Sequence, residues 1–245
     1  MLIIIDKKIP AQAKDSLSAY GHILELETGG IVYPAISGHP DIFFCKTPEM
    51  LIVHPGLPEF YFQQLKEHGV QYITGNPDSS IEHRVSSIEH PASSIQHPAS
   101  IHYNTAVNDR YLVHRLEYTD PVILQHCHTL KKIPVKQGYT RCNLLLMNDD
   151  HYLTSDAGIH KNLTRSGLEG VFVSPEGILL PGFPNGFIGG AMGLLNETIF
   201  IIGSLDHYSE GVVVRNYLED LNYRMIELYD GPLFDGGGIL FLCEC

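Results

Sequence analysis

The sequence predicts an α/β propeller: five ββαβ blades with pseudo-fivefold symmetry, closed by pairing the C-terminal strand with the N-terminal one. Two observations predict it. A strand–turn–strand–helix–strand unit recurs four times along the chain, and the pieces of a fifth stand at its two ends. Repetition with split termini is the signature of radial closure, which leaves few exposed sheet edges.

The elements follow in order. "LIIID" (2–6) reads as a strand, 10–20 as a helix and "HILELE" (22–27) as a second strand. "DIFFCK" (41–46) and "MLIVH" (50–54) flank a turn, and a helix over 57–69 presents Leu57, Phe60, Tyr61 and Leu65 on one face before Gly69 stops it. "VQYIT" (70–74) completes that unit. In the next, "NTAV" (104–107) and "YLVHRL" (111–116) precede a helix opening at Asp120-Pro121 and the strand "KIPVKQ" (132–137). "CNLLLM" (142–147), "HYLTS" (151–155), a short helix near 159–166 and "VFVSP" (171–175) repeat the pattern. So do "AMGLL" (191–195), "IFIIGS" (199–204), the helix 210–221 and "RMIELY" (224–229). Asp120, Asp156 and Asp206 stand where helix caps belong. "GILFLCE" (238–244) is left over, and it supplies the strand that the N-terminal unit lacks. One domain over 1–245 results.

The loudest local pattern, "SSIEHRVSSIEHPASSIQHPA" (79–99), stands apart from these units. A coiled coil needs two apolar seams, whereas Ile81, Ile88 and Ile95 supply one, and Pro91 and Pro98 break a helix. His83, His90 and His97 share a spacing that repetition alone produces, unlike the close ligand pairs of zinc sites. Residues 78–100 therefore read as a low-complexity insertion in a surface connection, and neither metal nor cofactor is expected.

Composition narrows the function. Hydrophobic residues make up 44% and charged residues 18%, ordinary for a soluble globular chain. A net charge of −12 disfavours nucleic acid as a partner. No apolar run is long enough to span a bilayer, and five irregularly spaced cysteines with no CxxC make no disulfide framework. A cytoplasmic protein is expected. No Walker motif occurs, and "GFPNGFIGGAMG" (182–193) reads as close packing of strands in preference to an anion cradle.

With its five units, "GPLFDGGGILFLCEC" (231–245) and "GHPDIFF" (38–44), the chain resembles the pentein, or guanidino-group-modifying, fold family. It is closest in character to that family's uncharacterised bacterial members, and distantly similar to arginine and agmatine deiminases. The resemblance implies an axial site in which a thiol attacks the guanidinium carbon, a histidine moves protons and carboxylates grip guanidinium nitrogens. The blade openings would face that site: Gly38–Asp41, Tyr103-Asn104, Tyr139–Cys142, Phe187–Gly190 and Asp235–Gly238. The chain departs from the family at the nucleophile. Phe241 and Leu242 hold the deiminase cysteine positions, and Cys243 follows on the opposite strand face unless a bulge intervenes.

A permuted set remains open: Cys142 as nucleophile, favoured as thiolate by Arg141, with His39 as base and Asp41 as anchor, and Cys243 as the alternative nucleophile. Asn104, Arg141, Asp235, Gly189, Gly190, Gly236 and Gly237 are the expected substrate-binding residues. Each also has a plain structural role: a turn at His39-Pro40, backbone acceptance by Asp41, a core cysteine at 142. Two functions are carried forward. One is thiol-dependent hydrolysis or transfer on guanidine-type, arginine-like substrates. The other is a non-catalytic pentein that binds a small polar ligand or a partner, since architecture alone does not fix activity.

Overall fold

The computed structural model describes residues 1–77 and 101–243, so the histidine-containing tract at 78–100 lies outside the described residues. The described chain forms five separate three-stranded sheets, in the orders β15-β1-β2, β3-β4-β5, β6-β7-β8, β11-β10-β9 and β12-β13-β14. The strands of the first are β1 (Leu2–Asp6), β2 (His22–Leu26) and β15 (Leu240–Leu242), and of the second β3 (Phe44–Lys46), β4 (Leu51–Val53) and β5 (Tyr72–Thr74). The third holds β6 (Ala106–Val107), β7 (Tyr111–His114) and β8 (Lys131–Pro134), and the fourth β9 (Leu144–Leu146), β10 (His151–Thr154) and β11 (Glu169–Phe172). The fifth holds β12 (Met192–Leu195), β13 (Thr198–Ile201) and β14 (Arg224–Glu227).

Every sheet has the same grammar. A middle strand pairs antiparallel on one side and parallel on the other, and a helix makes the parallel crossover. Those helices are α1 (Ala11–Ser18), α3 (Glu59–Glu67), α4 (Pro121–His126), α6 (Ala157–Arg165) and α7 (Gly211–Asp220). In the first sheet the antiparallel partner comes from the far end of the chain, with Leu2, Ile3 and Ile4 opposite Leu242, Phe241 and Leu240. That register is unbroken, so no bulge lifts Cys243 into the deiminase position.

The middle strands are apolar along their length because successive residues enter different cores. In β1, Leu2 and Ile4 join a cluster shared with β3, β4 and α3, whereas Ile3 and Ile5 join one shared with β13. In β4, Leu51 and Val53 face the first of these, and Ile52 meets Tyr103 and Leu112 of the third sheet's unit. Leu112 and its neighbours Tyr111 and Val113 divide in the same way, as do Tyr152 and Leu153, and Phe200 and its neighbours Ile199 and Ile201. Four of the five clusters thus join two sheets consecutive in the chain, and the fifth joins the last sheet to the first.

Helix boundaries follow local chemistry. Asp120 caps α4 through the Val122 N–H (2.8 Å) behind Pro121, and Asp156 caps α6 through the Ile159 N–H (2.7 Å). Gly69 ends α3 at a φ of 64°. Three expectations change. Asp206 caps no helix: Ser204 caps the short 3-10 turn Leu205–His207, and Asp206 pairs with Arg215 (2.9 Å). Phe60 is 55% exposed and Phe62 is buried in its place, while Leu57, Tyr61 and Leu65 are buried as expected. Residues 40–43 and 140–143 are not strand but the single helical turns α2 (Pro40–Phe43) and α5 (Thr140–Asn143), each leading directly into an inner strand. Gly189–Ala191 forms a comparable 3-10 turn before β12.

Asp120 also ties two units together. Its fully buried carboxylate accepts the Tyr103 hydroxyl (2.9 Å) and the Asn76 N–H (3.0 Å). Asp120→Ala leaves both donors and the α4 N-terminus without an acceptor, so a loss of about 2–4 kcal/mol is expected in urea denaturation, with much of it recovered in Asp120→Asn. Equal stability of wild type and alanine variant would show that these bonds do not join the units.

Candidate functional site

The antiparallel partner strands of all five sheets line one cavity of about 550 Å³. Phe44 and Cys45 of β3, Ala106 of β6, Leu145 of β9, Leu194 of β12 and Ile239 and Phe241 beside and in β15 give it apolar walls. Asn108, Asp109, Asn148 and Asn196, from the turns that follow, border it, as do Lys46 and Cys243. Asp41, Thr105, Arg141 and Gly237, from the segments that open the strands, also line it.

Around those opening segments the chain buries an unusual concentration of polar groups. His39 sits among three carboxylates, with its ring nitrogens 3.7 Å from Asp6, 3.9 Å from Asp235 and 4.0 Å from Asp41. These separations exceed hydrogen-bond length, and His39 Nε2 has no partner. Burial and the nearby Lys8 ammonium push the imidazole down to about 3, so it is neutral at physiological pH. Burial raises all three carboxyls. Asp235 is pushed up to about 7 although it accepts the N–H groups of Gly237 (3.0 Å) and Phe187 (2.9 Å). Asp6 accepts the Lys8 N–H (2.7 Å). Asp41 has no hydrogen-bond partner on either oxygen, and burial with the neighbouring Asp235 charge lifts it well above the usual carboxylate range. Asn104 lies beside it and eases that shift, yet its Nδ2 makes no hydrogen bond of acceptable geometry. Thr105 Oγ1 is likewise buried without a partner.

Arg141 supplies the positive charge. Its guanidinium donates to the carbonyls of Gly189 (2.8 Å) and Met192 (3.4 Å) and keeps some exposure to the cavity. The glycines make room for this cluster. A Cβ at Gly190 would lie 1.9 Å from Asp235 Oδ1, and one at Gly237, whose φ is +68°, would lie 2.3 Å from His39 Cβ. Gly189 and Gly236 are packed in the same way, against the Arg141 carbonyl and Ile9.

The cysteines stand differently from expectation. Cys142 does share the cluster, but its thiol donates to the Tyr139 carbonyl (3.6 Å) and does not line the cavity. Burial, Asp41 and Asp235 raise it well above the ordinary thiol range and outweigh Arg141, so the expected thiolate is not favoured. Cys243 is exposed and lines the cavity. Cys45, which the sequence did not single out, also lines it, with its thiol raised by burial. Asp6, Thr105 and Tyr33 were missed too. Tyr33 shares a hydroxyl–hydroxyl bond with Tyr139 (3.0 Å), packs against Phe183 (ring centroids 5.9 Å apart) and lies near Cys142, Asp41 and Asp235. Only Asp6 left a trace, as a carboxylate ending an apolar run. In Ser204–Tyr208, whose Ser, Asp and His suggest a catalytic cluster only on paper, the side chains pair separately, Ser204 with Glu227 (2.7 Å) and an exposed His207 with Asp230 (2.6 Å).

Among the described residues no group of His, Cys, Asp and Glu is arranged to hold a metal ion, and no helix is long and apolar enough to cross a membrane. A family of unknown function, DUF6873, matches residues 4–240. A search of curated proteins finds no match. Among solved structures, dimethylarginine dimethylaminohydrolase bound covalently to 4-chloro-2-hydroxymethylpyridine is similar at a TM-score of 0.51 and 11% identity, with 92% of this chain and 91% of that one covered. The Pseudomonas aeruginosa enzyme, as a cysteine-to-serine variant with citrulline, gives 0.52 and 10% over the same shares. These are pentein structures, and the likeness is one of fold.

His54 and His114 are buried neutral as well, each pushed down to about 4 by burial. Their stabilising contribution, with that of His39, is present above the unfolded value near 6.5 and is lost as pH falls towards 4 and below. The raised carboxyls act oppositely: theirs is present below about 3.8 and is lost as pH rises, through about 7 for Asp235. In ¹³C-histidine spectra these three rings should stay neutral from pH 8 down to pH 5. A titration of His39 near pH 6.5 would contradict its enclosure among buried carboxyls.

Proposed function

This chain belongs to DUF6873, a family of unknown function, and from that premise we propose that it is a single-domain, five-bladed pentein whose axial cavity binds a small polar molecule. The β15–β1 pairing and the five cores shared between consecutive sheets support reading the sheets as blades of a closed propeller. One observation carries the binding reading. The two oxygens of Asp41 and the hydroxyl of Thr105 lack hydrogen-bond partners, yet both residues open onto a cavity lined by every inner strand. Buried polar groups are normally satisfied, and unsatisfied ones on residues that line a cavity are the ones a ligand can complete once the side chains turn to it. A cytoplasmic setting fits the free thiols of Cys45, Cys127, Cys142 and Cys243.

The second reading is thiol-dependent hydrolysis or transfer on a guanidine-type substrate, and one observation favours it: Cys243 is exposed on that same cavity. Cys142 is the weaker nucleophile, because its thiol is buried, raised and turned to a backbone carbonyl.

Alkylation separates the two. Native protein treated with iodoacetamide or 2-chloroacetamidine at pH 7 should modify Cys45, Cys127 and Cys142 only after denaturation, with Cys243 reacting no faster than a cysteine in a short peptide. Fast, selective labelling of Cys243 would establish the enzymatic reading, and the same result at Cys142 would restore the permuted nucleophile.

A further inference from the structure

The protein carries its own guanidinium in the cavity. Arg141 is anchored by the carbonyls of Gly189 and Met192 and lines the same space as Asp41. A guanidinium ligand brought to Asp41 would set a second cation near Arg141 where water is scarce, and like charges repel strongly there. The unsatisfied groups instead favour an acceptor. Thr105, which lines the cavity, carries a buried hydroxyl donor without a partner, and Arg141 uses two of its five N–H groups on the two carbonyls. These residues are contiguous, because the N–H groups of Thr140 and Arg141 both bond to the Asn104 carbonyl. Asp41, without a donor on either oxygen, is a further hydrogen-bond donor in its acid form.

We infer that the Asp41–Thr105–Arg141 end of the cavity receives a small oxyanion, a carboxylate or a tetrahedral phosphate-type group, and not the guanidinium group of an arginine-like molecule. This rests on the reading of the cavity as a ligand site and changes the class of ligand. The charged and titratable groups facing Asp41 are Asp6, His39, Cys142, Asp235, Tyr33 and Arg141, with Lys8 acting from farther out. His39 is neutral, and Arg141 keeps its charge at all accessible pH. Ionisation of Asp41 and Asp235 therefore sets the sign: an oxyanion binds more weakly as pH rises, whereas a guanidinium ion binds more tightly.

The test titrates the full chain with sodium acetate, sodium sulfate and methylguanidinium chloride at pH 6 and pH 8, against sodium chloride at equal ionic strength, and follows amide shifts. Sulfate stands in for the tetrahedral group because its charge is constant over this range. Acetate or sulfate should bind saturably, about tenfold more tightly at pH 6 than at pH 8, and the stronger of the two identifies the carboxylate or phosphate-type source. Thr105→Val should weaken binding about fivefold to tenfold in a folded protein, so the proposal does not depend on Arg141→Gln being stable. Asp41→Asn should still bind the oxyanion and keep the part of the pH dependence that Asp235 supplies. Saturable methylguanidinium binding that tightens at pH 8 and vanishes in Asp41→Asn would overturn the oxyanion class and leave the ligand-site reading standing. No binding by any of the three would overturn both.

Discussion

The pairing of β15 with β1 is the constraint on which the rest depends. β1 is the middle strand of its sheet and is buried on both faces, with alternate residues in two different cores. Without β15 it would present an unpaired apolar edge, the feature that soluble β-proteins avoid. The same contact brings Asp235 and the glycines after it against His39 and Gly190, so the chain's last segment completes both the first sheet and the polar cluster. Folding of the first sheet therefore waits on residues at the far end of the chain, a contact of long sequence separation.

The cluster itself runs against the usual economy of protein interiors. Three carboxyls, an imidazole, an amide and a guanidinium are buried together, and few of them meet a charge partner at contact distance. Burial of an unpaired charge is opposed by several kcal/mol, so the groups adjust by changing protonation: His39 goes neutral and the carboxyls rise. Asp235 is better prepared than Asp41 to hold charge, because two backbone N–H groups point at it. Asp41 is the least prepared.

The likeness to dimethylarginine dimethylaminohydrolase is one of fold. Where the deiminase pattern asks for a thiol after the glycine run, β15 places Phe241 in a core and Leu242 in another, in unbroken register with β1. The thiol that does lie in the cluster, Cys142, is surrounded by raised carboxyls and stays protonated. Beside that thiol the protein holds a guanidinium of its own, Arg141.

By itself the sequence determined the elements and their order. Apolar runs fixed the middle strands, Asp-Pro and Asp-Ala fixed the starts of α4 and α6, and the orphan strand at the C-terminus implied its pairing with β1, because these signals act over a few residues or over one strand face. It also placed His39, Asp41, Asn104, Arg141 and Asp235 at the blade openings, and all five lie in or beside one cluster. What it did not determine is the state of those groups. Whether Cys142 ionises, whether Asp41 finds a donor and which way Arg141 points depend on the summed burial and charge of side chains from all five units. Local pattern carries no record of such sums. Only the tertiary packing sets the dielectric and the neighbours, and so only it decided that Arg141 anchors to carbonyls while the Asp41 oxygens are buried without a partner beside the cavity.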